Sequence, residues 1–413
     1  MKKLFLLFFV LSSVSLLAQD IKSRFNFYGF VRNDFYYNTR QNAEVIDGIF
    51  HIYPLYKDIN ENGKDLNAKP GAEMLSVASR VGVDVTGMDI LGAKSMAKLE
   101  ADFAGAASTY FVFRLRQAYF KLNWNSTELL VGQTWHPLFG SVMPTMMSLN
   151  TGSPFNPFNR SPQIRVKQRL GNSVSLLGAA IYQMQYSSPG PKGISPVYQK
   201  DAILPNFYLG FESNMEHFTA GVGADFKRLK PDDDNYLNSF STVAYIEYVL
   251  PKFQVKAKGI WGQNLSDHLM ASGYGVSYNL TDNKTEYTNF GISTAWLNIT
   301  YGKKWRVGIF GGWSQNLGTD KDLTLNSNGR YEYYGRGYYA NNANESELQK
   351  QQILMDRLWR VSPHVSYNLS KFSFGLEYDF TAASYGRINQ HGKVDDSYTV
   401  DNHRIVMAVV YNF

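Results

Sequence analysis

From about residue 25 to the C-terminus, apolar and polar side chains alternate with a period of two. In 75–86, Leu75, Val77, Ser79, Val81, Val83 and Val85 fall on one face, and Ser76, Ala78, Arg80, Gly82, Asp84 and Thr86 on the other. In 218–227, Phe218, Ala220, Val222, Ala224 and Phe226 oppose Thr219, Gly221, Gly223, Asp225 and Lys227. Segments 93–103 and 372–381 repeat the pattern, and a helical period is nowhere sustained. Two-residue alternation is the signature of a strand with one apolar face. It predicts sixteen strands: 25–38, 75–86, 93–104, 111–122, 128–135, 163–170, 174–185, 204–214, 218–229, 240–250, 253–264, 289–300, 305–316, 358–368, 372–385 and 403–413. Faces are least sorted in 128–135 and 174–185. Segment 111–122 changes face near Gln117, as a β-bulge would make it do.

The connections differ in length. Seven are short (87–92, 123–127, 171–173, 215–217, 251–252, 301–304 and 369–371), whereas 39–74, 136–162, 186–203, 265–288 and 317–357 are long and polar. Short turns at one end and long loops at the other are the plan of a transmembrane barrel. The clean apolar faces carry essentially no charge over about ten residues, the span of a tilted membrane strand; a mid-bilayer Lys or Arg there would cost about 2–4 kcal/mol. Trp124, Phe218, Phe253, Trp305 and Phe372 sit at short turns, and Trp135, Trp261 and Trp313 near long loops, which suits two interfacial girdles. The last strand aligns Ile405, Met407, Val409, Tyr411 and Phe413 on one face, like the C-terminal signal read by outer-membrane assembly machinery. Unpaired strand edges cannot lie in hydrocarbon, so the sheet must close.

The expected fold is therefore all-β: a 16-stranded antiparallel transmembrane β-barrel with short periplasmic turns and long extracellular loops. It would lie in the outer membrane of a Gram-negative bacterium with both termini periplasmic. A ring of that size leaves an aqueous channel.

Composition narrows the alternatives. The 413 residues include no Cys, are 15% aromatic and 18% charged, and carry a formal net charge of +6. That excludes disulfide scaffolds and zinc–thiolate domains. It also excludes disorder and, with a mean hydropathy of −0.29, a bundle of membrane helices. The charge excess is too dilute to signal nucleic acid. Lys2 and Lys3, followed by apolar 4–17 and Ala18-Gln19, predict a signal peptide over 1–18 and a single barrel domain over 19–413.

The polar faces are the expected pore lining. Its basic candidates are Arg32, Arg80, Lys98, Arg114, Arg116, Arg165, Lys167, Arg169, Arg306 and Arg360, together with Lys94, Lys227, Lys256, Lys258 and Arg404. Its acidic candidates are Asp34, Asp84, Glu100, Asp102, Glu212, Asp225, Glu247, Glu377 and Asp379. Arg165, Lys167 and Arg169 form a ladder on a strand that bears no acid. Rings of charge in a low-dielectric wall raise counter-ion occupancy, and Arg suits carboxylate and phosphate. The expectation is a passive porin for small hydrophilic solutes that prefers anions. Against it stands cancellation by acids, for example Arg80 with Asp84. The third long loop, 136–162, holds Pro137, Pro144, Pro154, Pro157 and Pro162. It is expected to fold inward and to place Phe155, Asn156, Phe158, Asn159 and Arg160 at a constriction.

Other chemistry is sparse. The seven His residues show no metal-site spacing, no Gly-rich phosphate loop follows a strand, and no cofactor is expected. Ser362, His364 and Ser366 share a face but lack a third catalytic group, so no enzyme is predicted. Asp232-Asp233-Asp234 and Asp320-Lys321-Asp322 read as solvated loop acids. The large loops 39–74 and 317–357 keep open a second reading, a surface barrel that grips a protein partner or secretion component.

Residues 79–84 (SRVGVD), 92–103 (GAKSMAKLEADF), 113–120 (FRLRQAYF) and 130–135 (LVGQTW) resemble the DcaP-like trimeric outer-membrane porin family. The resemblance implies a 16-stranded barrel, a homotrimer, and passage of small, often anionic solutes. Its surroundings would be outer-membrane lipid and lipopolysaccharide. Some members carry an N-terminal coiled coil, for which the predicted mature start leaves no room.

Overall fold

The computed structural model describes residues 24–45, 50–105, 112–340 and 352–413. The predicted signal segment lies outside the described residues. Sixteen barrel strands run in chain order: β1 Phe25–Asn38, β2 Gly71–Leu75 continued by Arg80–Ile90, β3 Ala93–Gly105, β4 Val112–Asn123, β5 Thr127–Trp135, β6 Arg160–Arg169, β7 Val174–Ile181 and β8 Asn206–Asn214. They continue as β9 Phe218–Leu229, β10 Leu237–Val249, β11 Phe253–Gln263, β12 Lys284–Gly302, β13 Trp305–Thr319, β14 Gln352–Leu369, β15 Phe372–Ile388 and β16 Val394–Asn412. Each pairs antiparallel with the next, and β1 pairs with β16 from Phe30 opposite Asn412 to Asn38 opposite Arg404, closing the ring.

Two irregularities matter for the lumen. The predicted strand 75–86 is broken at 76–79. There Ser79 N bonds Ser76 O, and Ser79 Oγ accepts from Arg32 N at 3.0 Å. Leu75 faces Asp34 across the ladder, whereas Val81 faces Gly29, so the two do not share one face as alternation predicted. The turn consumes the register, and Val77 and Ala78 are both buried. The bulge expected near Gln117 is present: Glu100 opposes Gln117 while Ala101 opposes Leu115, leaving Arg116 as the extra residue. Arg114, Arg116 and Gln117 all point inward as a result. Gln133 Nε2 donates to the carbonyls of Leu115 and Arg116 at 3.2 and 3.3 Å, partnering backbone groups freed by the bulge.

Outward positions form an apolar band. Trp305, Tyr301, Phe372 and Tyr411 are exposed toward the short turns, and Trp261, Trp313 and Trp359 toward the long loops. Trp305 and Trp313 lie on one strand. At ~3.4 Å per residue and a tilt of about 40°, they bracket about 20 Å of wall. Strands β12 and β14–β16 reach 17 to 19 residues. They exceed their predicted lengths because ladder pairing continues beyond the apolar band into the loop region.

Candidate functional site

The third long-end connection, 136–159, runs inside the ring. Beyond the 3-10 turn Pro137–Phe139 it has no helix or strand, so most of its backbone groups need other partners. Lumen-facing side chains supply them. Asn298 accepts from Thr145 N at 2.8 Å and donates to Thr145 O at 3.2 Å. Glu377 accepts from the amides of Met147 and Ser148 at 2.7 and 3.3 Å. Arg32 donates to Met147 O at 2.6 Å and Arg360 to Ser153 O at 2.9 Å. Lys258 donates to Phe139 O and to Asn156 Oδ1. Strands β1, β11, β12, β14 and β15 thus hold the loop against one side of the lumen.

Glycines make room for it. Phe155 lies over Gly312 of β13 and Met147 over Gly375 of β15, where an added Cβ would collide with either side chain. Gly375→Leu should push the loop toward the opposite wall and lower single-channel conductance by about half, since overpacking displaces neighbours rather than compressing them. An unchanged conductance would show that the loop does not rest there.

The proposed constriction residues take mixed positions. Phe155 is fully buried beside Phe310. Asn156 accepts from Lys258 and from Trp296 Nε1. Asn159 donates to Tyr186 O and Asp267 O. Arg160 is the first residue of β6, buried over the rings of Trp135 and Phe158 at 4.4 and 5.3 Å. These four anchor the loop's packing. Phe158, edge-on to the rings of Phe50 and Trp135, also borders open space.

That space follows the β2–β10 wall as three successive cavities, the first two of them between the wall and the loop. The first, about 210 Å³, is lined by Arg80, Arg114, Arg116, Glu100 and Asp102 on the wall and by Met143, Leu149, Thr151 and Phe158 on the loop. The second, about 300 Å³, contains Lys121, Glu128, Arg165, Lys167 and Glu212, and shares Trp135 with the first. The third, about 590 Å³, lies at the short turns, includes Arg169, and shares Glu128 and Lys167 with the second.

Ion pairs moderate the basic lining. Arg114 contacts Asp102 at 2.8 Å, and Arg116 contacts both Glu100 and Asp102 at 2.8 Å. Arg80 lies 3.7 Å from Glu100 and Lys98 2.8 Å from Asp84, so the Arg80–Asp84 pair suggested by sequence is replaced by two cross-strand pairs. The β6 ladder is flanked by acids: Lys167 contacts Glu212 at 2.7 Å and Arg165 lies 3.7 Å from Glu128. Alternation did not place Glu128 inward, yet it stands opposite Lys167 in register. Arg169 is exposed, and Arg306 is half-buried opposite Ser366; among the described residues neither is in an ion pair with an acid. Arg32 chelates Asp34, and Arg360 is wholly buried 3.3 Å from Asp379. In the loops, burial lowers His51 and His268 to about 4, so neither adds positive charge to the lumen at neutral pH.

Ser362 Oγ and both ring nitrogens of His364 have no hydrogen-bond partner, so nothing there orients a nucleophile and base. Among the described residues no group of His, Asp and Glu is arranged to hold a metal.

No family profile matches the chain, and no curated protein does. Solved structures do. The outer-membrane channel DcaP of Acinetobacter baumannii superposes with a TM-score of 0.68 at 19% identity, covering 94% of this chain and 97% of that one. The trimer form of OmpT from Vibrio cholerae gives 0.53 at 10% identity, covering 94% and 99%. Salmonella typhi OmpF gives 0.51 at 10% identity, covering 94% and 97%. A closed ring of sixteen antiparallel strands, superposing on DcaP over nearly its whole length, gives this chain the DcaP-like porin fold.

Proposed function

We propose that the protein is an outer-membrane porin, a passive diffusion channel for small hydrophilic solutes with a preference for anions such as carboxylates and phosphates. The observation that carries this reading is the run of cavities beside the third loop, bordered by Arg80, Arg114, Arg116, Arg165, Lys167 and Arg169. Four carboxylates (Glu100, Asp102, Glu128 and Glu212) offset part of that charge, and the surplus of guanidinium and ammonium groups in a narrow wall favours anions. Phe158, Met143, Leu149 and Thr151 form the loop side of the narrowing. The mature chain would begin near Gln19, with both termini and the short turns in the periplasm.

A homotrimer fits the same reading. Strands β2–β6 present no Trp or Tyr on the outer face between their ends; it carries Val81, Leu99, Phe113, Leu115, Ile164 and Val166 instead. Strands β10–β16, by contrast, hold the aromatic girdle. A wall sector without interfacial anchors suits contact with other protomers rather than with headgroups, and one of the similar structures is a trimer.

The test is the reversal potential of purified protein in a planar bilayer under a KCl gradient. A potential displaced toward the chloride equilibrium value is expected. Displacement toward the potassium value contradicts the anion preference.

A further inference from the structure

On the long-loop side of the outer wall, the apolar band ends in a pair of cations. The outward positions of β9 run Phe218, Ala220, Val222, Ala224, Phe226 and then Arg228. Phe226 is cross-paired with Phe207 on one side and Phe240 on the other, a row of three outward phenylalanines. Arg228 sits two residues beyond that row, about 5 Å nearer the loops on a tilted strand. This is where hydrocarbon gives way to headgroups. Lys230 follows it just past the strand's end.

The two charges are gathered on one ring. Arg228 Cζ lies 4.1 Å and Lys230 Nζ 5.7 Å from the centroid of Tyr236, which is itself 48% exposed. The loop between them and Tyr236 contains three aspartates, but Asp232 is occupied by Asn235 and Tyr287. Among the described residues neither cation is in an ion pair with an acid, and Arg228 Nε has no hydrogen-bond partner. Held together at this depth with no carboxylate in ion-pair contact, the two like charges are open to an anion at the membrane surface.

We propose that Arg228 and Lys230, assembled on Tyr236, bind a phosphate of an outer-leaflet glycolipid of the lipid A class, with Phe207, Phe226 and Phe240 receiving its acyl chains. The guanidinium fork suits a phosphate oxygen pair, the ammonium adds a second charge, and the phenylalanine row sets acyl chains directly below. The inference rests on the membrane placement proposed above and is independent of what the lumen conducts.

The experiment is native mass spectrometry of detergent-purified full-length protein titrated with diphosphoryl lipid A, with dephosphorylated lipid A and with inorganic phosphate. The Arg228→Gln/Lys230→Gln variant is compared with wild type and with a Lys64→Gln/Lys192→Gln control. Wild type and control should bind diphosphoryl lipid A about thirtyfold more tightly than the variant, the loss expected for two interfacial cations. Dephosphorylated lipid should bind all three weakly, and millimolar inorganic phosphate should not compete. Equal binding by variant and wild type overturns the proposal. So does equal binding of the dephosphorylated lipid, or displacement by inorganic phosphate. Heat-modifiable migration and unchanged single-channel conductance of the variant establish that it is folded, and they separate failure of this site from failure of the porin reading.

Discussion

Replacing Arg360 with alanine is expected to free the third loop, roughly doubling single-channel conductance and costing the barrel about 3–5 kcal/mol. The Arg360 side chain is fully buried and joins four elements. It donates to Thr381 Oγ1 at 2.8 Å, to Ser153 O of the third loop at 2.9 Å and to Ile52 O of the first loop at 2.7 Å, and it lies 3.3 Å from Asp379. Removing it takes from buried Asp379 its contacting guanidinium, leaving Arg404 across the ladder as its cationic neighbour, and a buried charge stripped of its partner is far costlier than the pair was worth. Glu377 also holds the loop amides of Met147 and Ser148, so the loss spreads along the loop. The temperature of the heat-modifiable shift in denaturing gels should fall, and open-channel noise should rise. Adding Asp379→Asn and Glu377→Gln should recover much of the stability but not the original conductance, because the loop carbonyls remain without donors. A folded Arg360→Ala barrel with wild-type conductance would show that the loop does not govern the pore.

Reversing the β6 ladder should change the sign of selectivity. Arg165→Glu with Lys167→Glu shifts the lining by four charges. It also sets the new carboxylates beside Glu128 and Glu212, which now pair with the residues they replace. Both positions border the second cavity, and Lys167 the third as well, so an ion passing through these cavities meets them. The reversal potential should move from the chloride side to the potassium side. Lys64→Glu with Lys192→Glu, the same charge change on exposed loop positions, should shift it far less, because charges beyond a Debye length of about 8–10 Å are screened. Equal shifts from both pairs would place selectivity at the mouth instead.

How much of this was legible depends on which solvent dictated each residue. All sixteen strands were, because lipid tolerates no polar side chain outside and water fills the inside, and that enforces alternation. Even the bulge at Arg116 left a trace as a change of face. The code fails where the lumen is not wet. Val243, Ile260, Ile292 and Leu358 point inward and are buried under the loops, so parts of the inner face read as apolar. On β5, Leu129 and Leu130 lie on opposite faces, with Leu130 buried, and this hid the inward orientation of Glu128.

Within the third loop, an inward course was expected by analogy with the third loop of porins, but nothing in its composition separated side chains that anchor it, such as Phe155 and Asn156, from those that border the opening, such as Met143 and Leu149. Gly312 and Gly375 hold the clearest unread signal: small inward residues on long strands mark where another segment lies against the wall.

The most direct measurement is single-channel recording of the purified mature protein in a planar lipid bilayer. The account predicts discrete, ohmic conductance steps, in groups of three if protomers insert as trimers, together with swelling of liposomes in small dicarboxylates. A correctly folded barrel that inserts yet passes no current and admits no solute would contradict it, and would leave the long loops, rather than the lumen, as the place where this protein works.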